Sequence, residues 1–159
     1  MPDQEFPLNY KNKYEIDTDP STEEGDFAPL AAGIQTVDPS FDDETDDTAY
    51  YDGEGFGNLD VTGISAALQF TGHRKYGDKA QDYIAGLAFE VGSKRKTNLR
   101  WTQPDGKQIT GPVTISGIKA TGGDANAKSD FEFTATFNGK PEVTDAGSSG
   151  GGETGGTGE

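Results

Sequence analysis

The stretch from Leu59 to Thr71 constrains the fold of this 159-residue chain more than any other. Its apolar side chains Ile64, Leu68 and Phe70 alternate with polar or small ones, the period-two pattern of a strand with one buried face. A glycine-rich turn precedes this strand, and the only good helix signal of the chain follows it, all within residues 50–91. The sequence therefore predicts a main sheet strand that leads into a helix.

Further segments show strand patterns, and turn residues separate them. Proline presets φ and glycine accepts positive φ in Pro104-Asp105-Gly106, and the glycine-rich run 121–126 predicts a second turn. The predicted additional strands are Phe27–Val37, Leu99–Gln103, Ile109–Ile115 and Phe131–Phe137. The chain is therefore expected to be mainly β (α+β), a two-sheet β-sandwich flanked by one helix.

The helix is predicted at about residues 79–91, with two to three turns. Asp78 is a suitable N-cap, and Gln81 three residues later completes a capping-box pattern. Tyr83, Ile84 and Leu87 follow at helical spacing and predict the face that packs on the sheet. Gly92 is a typical stop signal.

The remaining chain divides into one domain and its appendages. Residues 1–26 are predicted to be an N-terminal arm with at most one short strand around Lys13–Asp17. Residues 27–141 form the predicted β-sandwich domain, which contains a long acidic loop at 38–58. Residues 142–159 are rich in glycine and acids and are expected to be a flexible tail.

Composition argues against several classes of protein. The chain has no cysteine and one histidine, so disulfides, cysteine nucleophiles and histidine-rich metal sites are not expected. The beginning MPDQEFPLNY lacks the apolar core of a signal peptide, and no run of residues is apolar enough to span a membrane. We expect a protein made in the cytoplasm, with no membrane association, no cofactor and no enzyme activity.

The net charge of −15 is unevenly distributed. Residues 1–60 carry 17 acids and two lysines, residues 61–141 carry 7 acids and 11 bases, and the last 18 residues carry 4 acids. Such an acidic surface repels nucleic acid. The four bases Lys94, Arg95, Lys96 and Arg100 are therefore expected to pair with acids, either within the chain or on a neighbouring copy.

The acids of the predicted loop raise a calcium alternative. They are Asp42, Asp43, Glu44, Asp46, Asp47, Asp52 and Glu54. No glycine stands at the sixth position of an EF-hand frame, so a solvated acidic loop is the preferred interpretation and no metal is expected. The glycines at 53, 55 and 57 lack dinucleotide-binding spacing, and His73 has no evident catalytic partner, so both are interpreted as parts of turns.

Several motifs in a fixed order resemble a known family. They are PLAAGI at 29–34, YYDGEG at 50–55, GHR at 72–74, GDKAQDYI at 77–84, PDG at 104–106, GGDA at 122–125 and NGKP at 138–141. Together these segments resemble the major tail tube proteins of long, flexible-tailed, siphovirus-type phages, particularly the group that infects Gram-positive bacteria. The resemblance covers roughly residues 13–141.

The resemblance implies a β-sandwich subunit of the virion that forms hexameric rings stacked into a tube. The tube would be the conduit for DNA, with a tape-measure protein in its lumen and with tail-tip and tail-terminator proteins at its ends. The N-terminal arm, the long loop and the C-terminal segment would bridge rings. The expected ring-stacking residues are Asp42, Asp43, Glu44, Asp46, Asp47, Tyr50 and Tyr51.

Two alternatives remain open at this point. One is a related tail terminator or connector ring protein. The other is an extracellular carbohydrate-binding or adhesin-type β-sandwich module, which the tyrosines and Trp101 on a β scaffold would suit.

Overall fold

The structure, a computed structural model, describes residues 6–145, which contain eight strands and one α-helix. Every strand pairing is antiparallel. The strands are β1 (Lys13–Asp17), β2 (Phe27–Pro29), β3 (Ile34–Ala49), β4 (Gly57–His73), β5 (Lys96–Thr102), β6 (Gln108–Lys119), β7 (Asp130–Phe137) and β8 (Glu142–Thr144). The helix is α1 (Lys79–Gly86). The prediction of a mainly β chain with a single helix is confirmed.

The strands form one hydrogen-bonded path rather than two separate sheets. Their order is β2-β1-β5-β6-β7-β4-β3, and β8 also pairs with β6. The ends of this path, β2 and β3, are joined by only residues 30–33, so the sheet must curl until its ends approach each other. Because of the curl, the two halves of the sheet pack on one another like a sandwich.

The pair Tyr14 and Phe70 measures the curl directly. Tyr14 lies on β1 and Phe70 on β4, four strand positions apart, a separation of roughly 19 Å in a flat sheet. Their rings instead meet edge to face at 5.4 Å. Phe70 also stacks on Phe133 of β7 at 4.7 Å, so aromatic contacts join the two halves of the core. Every second residue of β7 is buried, as its alternation predicts.

The helix begins where it is expected and ends earlier. The Asp78 carboxylate accepts a hydrogen bond from the backbone N–H of Gln81 at 3.1 Å, which caps the first turn. The predicted extension to residue 91 is wrong, because α1 ends at Gly86 and a short 3₁₀ turn occupies Gly92–Arg95. Ile84 and Leu87 are buried against the sheet, and Tyr83 is half-buried.

Gln81 does not complete a capping box. Its side chain is buried and accepts from the backbone N–H of Lys75 at 2.7 Å and from the Arg74 guanidinium at 3.3 Å. Its amide nitrogen donates to the carbonyls of Ala32 at 2.9 Å and His73 at 3.0 Å. This one amide therefore fastens the helix to the turn before β3 and to the end of β4.

The structure corrects two expectations about connecting segments. Most of 38–58 is not a loop, since β3 runs to Ala49 and β4 begins at Gly57, with only 50–56 between them. The single strand predicted over 27–37 is β2 and the start of β3, separated by a turn.

The ends of the chain are also more ordered than expected. Within the predicted arm, β1 is an internal strand of the sheet with Ile16 buried, and β8 takes up the first residues of the predicted tail. The rest of that tail, residues 146–159, and residues 1–5 of the arm lie outside the described residues. Among residues 6–145, no helix has the length and apolar character needed to cross a membrane.

Candidate interaction surface

A two-stranded ribbon projects from the sheet. The ladder between β4 and β7 ends at the pair Ala67 and Thr136, so residues 57–66 of β4 pair with β3 alone. We call residues 41–66 the hairpin arm. With about ten residues per strand it extends roughly 30 Å. An isolated two-stranded ribbon is at best marginally stable in water, so an arm of this length favours a partner surface.

A β-bulge controls which side chains share a face of the arm. Ile64 pairs with Asp43 and Val61 pairs with Thr45, so Thr62 is the extra residue opposite the Glu44–Thr45 step. Asp43 and Thr45 are two residues apart and point to the same side, and their partners do as well. The bulge therefore keeps Val61 on the face that Ile64 occupies.

This apolar face continues the core outward. Along β4, the buried side chains of Leu68 and Phe70 are followed on the same face by Ala66, Ile64, Val61 and Leu59. The exposed members of the face are Phe41 (61%), Leu59 (64%), Val61 (55%) and Ile64 (68%). A contiguous exposed apolar row of this kind marks an interaction site, whereas scattered single residues do not.

The opposite face of the arm is acidic. It carries Asp42, Glu44, Asp46 and Asp60, and residues 34–60 contain no Lys, Arg or His. The other two predicted acids, Asp43 and Asp47, lie beside the apolar row. Within residues 6–145, no three His, Cys, Asp or Glu side chains cluster in a way that would hold a metal ion. The five predicted stacking acids thus divide between the two faces.

Aromatic side chains surround the tip. Tyr50 and Tyr51, the remaining predicted stacking residues, are exposed where the chain turns through a short 3₁₀ segment, and Phe56 is exposed beside them. Glu54 adopts a left-handed conformation with φ 56°, which reverses the chain before β4. The tip therefore ends the arm in a second exposed apolar group.

A third exposed apolar group lies away from the arm. We call it the ledge and define it by Phe89, Val91, Lys94 and Lys96. Phe89 is 100% exposed and Val91 82% exposed, and both lysines are exposed. A shallow cavity of about 480 Å³ lies under the ledge, between residues 90–96 and residues 114–116 of β6.

Two of the four bases that the sequence groups together have internal roles. The Arg95 guanidinium donates to the carbonyls of Glu90 (2.9 Å), Ile115 (3.1 Å) and Ala88 (3.1 Å). Arg100 pairs with Glu15 at 3.2 Å and lies over the ring of Phe27 at 4.0 Å. Lys94 and Lys96 are left as the outward charges of the group.

A cleft of about 490 Å³ marks the seam where the curled sheet does not close. It lies between residues 9–14 and the start of β3, and its walls include Tyr10, Tyr14 and Trp101. Trp101 is only 7% exposed, stacks on Tyr14 at 5.8 Å and donates from Nε1 to Asn12 at 3.0 Å. Burial raises the pKa of the Tyr14 hydroxyl. Trp101 is thus a core residue and cannot serve as an exposed sugar-stacking platform.

The apolar residues of the arm are the part of the surface that the sequence did not single out. Ile64 is assigned to a strand from its alternation, but Leu59 and Val61 fall one position out of phase with it. Gly63, next to the bulged residue Thr62, is the signal that could have revealed them, since glycine within a strand pattern often marks a bulge.

Comparison with known proteins identifies the fold. The chain is similar to the tail subunit of an empty gene transfer agent particle, solved by helical refinement with C6 symmetry, with a TM-score of 0.72 and 22% identity over 87% of this chain and 99% of that one. It is also similar to a subunit of the native gene transfer agent virion, with a TM-score of 0.70 and 20% identity over the same shares of both chains.

A third similar structure is the tube-terminating cap of an anti-feeding prophage. Its TM-score is 0.61 and its identity 13%, over 92% of this chain and 95% of that one. The chain shares the fold of these three subunits. No family model and no curated protein matches its sequence.

Proposed function

We propose that this chain is a structural tail tube subunit that associates with copies of itself and has no enzyme activity. The observation that carries the proposal is the uncovered apolar face of the hairpin arm, which continues the core and has no partner among the described residues. The likeness in fold to a subunit of a gene transfer agent tail and to a subunit of a gene transfer agent virion supports the same function.

The assembly we propose is a hexameric ring, repeated by stacking into a tube. The open edge of β3 has no strand beside it in residues 6–145, and such edges favour pairing with another copy. The C6 symmetry of the gene transfer agent tail belongs to that particle and supports a six-fold arrangement here. Asp42, Asp43, Glu44, Asp46, Asp47, Tyr50 and Tyr51 belong to the arm that would bridge rings.

The proposed tube is the conduit for DNA in a phage-like virion. The negative charge of the chain would limit adhesion of DNA to the wall, because like charges repel. A tape-measure protein in the lumen, and tail-tip and terminator proteins at the two ends, are the proposed partners, with no specific binding of the DNA. The siphovirus type and the Gram-positive host also belong to this proposal.

Negative-stain electron microscopy of the purified full chain tests the proposal. We expect rings or tubes with a six-fold projection, alone or after addition of tail-tip proteins that initiate assembly. Monomers under all of these conditions would contradict the proposal.

The likeness to the anti-feeding prophage cap favours a second candidate, a ring that terminates a tube. The same micrographs separate the two functions. A tube subunit gives tubes of variable length, whereas a terminator gives single rings that bind tube ends and do not extend.

A further inference from the structure

Hydrogen bonds hold the backbone of the ledge in place, although Phe89 and Val91 lie outside helices and strands. Arg95 holds it from beneath by three hydrogen bonds to backbone carbonyls, two of them within residues 88–90 and one on β6. A surface fixed before binding loses less conformational entropy when it binds. The backbone that carries Phe89 and Val91 is thus fixed, and both side chains point to solvent and pack on no part of the core.

The ledge and the apolar face of the arm complement each other in chemistry. The arm face offers an apolar row with the carboxylates of Asp43 and Asp47 beside it. The ledge offers two apolar side chains with two lysines beside them. We infer that the hairpin arm of one copy docks on the ledge of a second copy. This contact would join subunits within the proposed tube, so the inference rests on the proposed function.

Two other exposed lysines already have acidic partners within the chain. Lys119 is paired with Asp130 at 3.0 Å, and Lys79 is paired with Asp26. Lys94 has only the local partner Glu90, at 3.5 Å, and no acid among residues 6–145 lies within salt-bridge distance of Lys96. The ledge therefore combines available positive charge with exposed apolar area.

The register of the sheet directs the two surfaces away from each other. Lys96, Thr114, Thr136 and Ala67 lie in one row across β5, β6, β7 and β4. From this row the arm continues from Ala66 towards Gly57, in the same direction in which β5 runs to Thr102. The ledge lies on the other side of the row, before Lys96.

An arm therefore cannot reach the ledge of its own chain. The contact is between two different surfaces of two copies, so each added copy still presents one free arm and one free ledge. Such head-to-tail contacts propagate into rings or open filaments. This geometry suits addition of rings along a tube.

Cross-linking tests the contact, and the absence of cysteine from the chain makes it specific. Val61→Cys and Val91→Cys full-length proteins are mixed and treated with a short bismaleimide. We expect a cross-linked dimer at about ten times or more the yield obtained when Val61→Cys is mixed with Ala125→Cys, because docking raises the effective concentration of the paired thiols. Ala125 is exposed in the turn before β7 and serves as the matched control. Equal yields would overturn the inference.

Charge reversal tests the proposed pairing within that contact. Lys94→Glu/Lys96→Glu in the Val91→Cys protein should lower the yield to that of the Ala125→Cys control. Asp43→Lys/Asp47→Lys in the Val61→Cys protein should restore it. The same reversal at Lys128 and Lys140, two exposed lysines outside the ledge, should leave the yield unchanged. An unchanged yield with the ledge reversal, or a failed rescue, would overturn the pairing.

The two levels of the proposal fail in different ways. If tubes form but no Val61–Val91 cross-link is obtained from them, the ledge contact is wrong and the tube function still stands. Cross-linked dimers without rings or tubes would support the contact and count against the tube function.

Discussion

Val61 and Ile64 lie on the same face of the hairpin arm although they are three positions apart along β4. In a regular strand an odd separation would place them on opposite faces. The bulge at Thr62 adds the residue that brings them together, and the Thr62 hydroxyl donates to the Glu44 carbonyl at 3.2 Å beside it. The arm is amphipathic because of this one irregularity.

Insertion of one alanine between Glu44 and Thr45 should abolish self-association without unfolding the body. The inserted residue gives Thr62 a partner, so the ladder becomes regular and Val61 and Leu59 move to the acidic face of the arm. Deletion of Thr62 also removes the bulge, but it leaves Val61 and Ile64 two positions apart on one face, so this control should assemble like the wild type. Circular dichroism reports the fold, and sedimentation velocity reports association. Normal assembly by the insertion variant would show that the apolar face is not the contact.

Gln81→Ala should lower the free energy of unfolding by about 2–4 kcal/mol, because it leaves three partly buried backbone groups without partners. The affected groups are the Lys75 N–H and the carbonyls of Ala32 and His73. Asp82→Asn, which removes the partly exposed pair with Arg74, should cost less than about 1 kcal/mol. Urea denaturation measures both. Equal costs would show that Gln81 does not fasten the helix.

Gly72→Ala should be destabilising by about 2 kcal/mol or more, since the added methyl group would collide with backbone. It would contact the Gly33 carbonyl oxygen and approach the Ile34 Cα within 2.8 Å. Gly86→Ala is the control, because no atom lies within 4 Å of its added methyl group. In the helix it should stabilise the protein by up to about 1 kcal/mol. An unchanged stability of Gly72→Ala would mean that the backbone at Gly33 and Ile34 can move away from β4 at little cost.

Stability should fall above about pH 10, the ordinary pKa of tyrosine. Burial raises the pKa of Tyr14, and for Tyr83 burial is the main cause, with the nearby Asp17 and Asp19 adding to it and a hydrogen bond with Thr97 opposing it. The folded state therefore favours the protonated hydroxyls. Their contribution is complete below the unfolded pKa and is lost as the pH rises through the folded one.

Tyr14→Phe and Tyr83→Phe should each reduce this alkaline loss. Thermal midpoints at pH 8 and at about pH 11 measure it, because the phenylalanine variants lack the ionising group. A loss identical to that of the wild type in both variants would contradict the assignment.

The sequence predicted the strands whose alternation is produced by burial. Phe131, Phe133 and Phe137 lie on the buried face of β7, and Leu68 and Phe70 on that of β4. These strands could be predicted because each has one face in the core, which imposes a local period of two. The helix start at Asp78 was equally local, since it depends on one cap.

The arm could not be predicted in the same way. Residues 42–47 are nearly all acidic, have low intrinsic strand propensity and bury neither face, so only pairing with β4 makes them a strand. The helix was overextended for a related reason. The carbonyls of Ala88 and Glu90 accept hydrogen bonds from the Arg95 side chain instead of from helix backbone. The apolar periodicity of residues 79–91 carries no sign of this side-chain contact.

Sedimentation velocity of the wild type beside Val61→Asp/Ile64→Asp tests most directly whether the arm drives association. The variant places two charges on the apolar face of residues that are already exposed in the monomer, so its fold should be retained. We expect rings or larger assemblies from the wild type and a monomer of 16.8 kDa from the variant. Assembly of the variant equal to that of the wild type would contradict a contact through the arm.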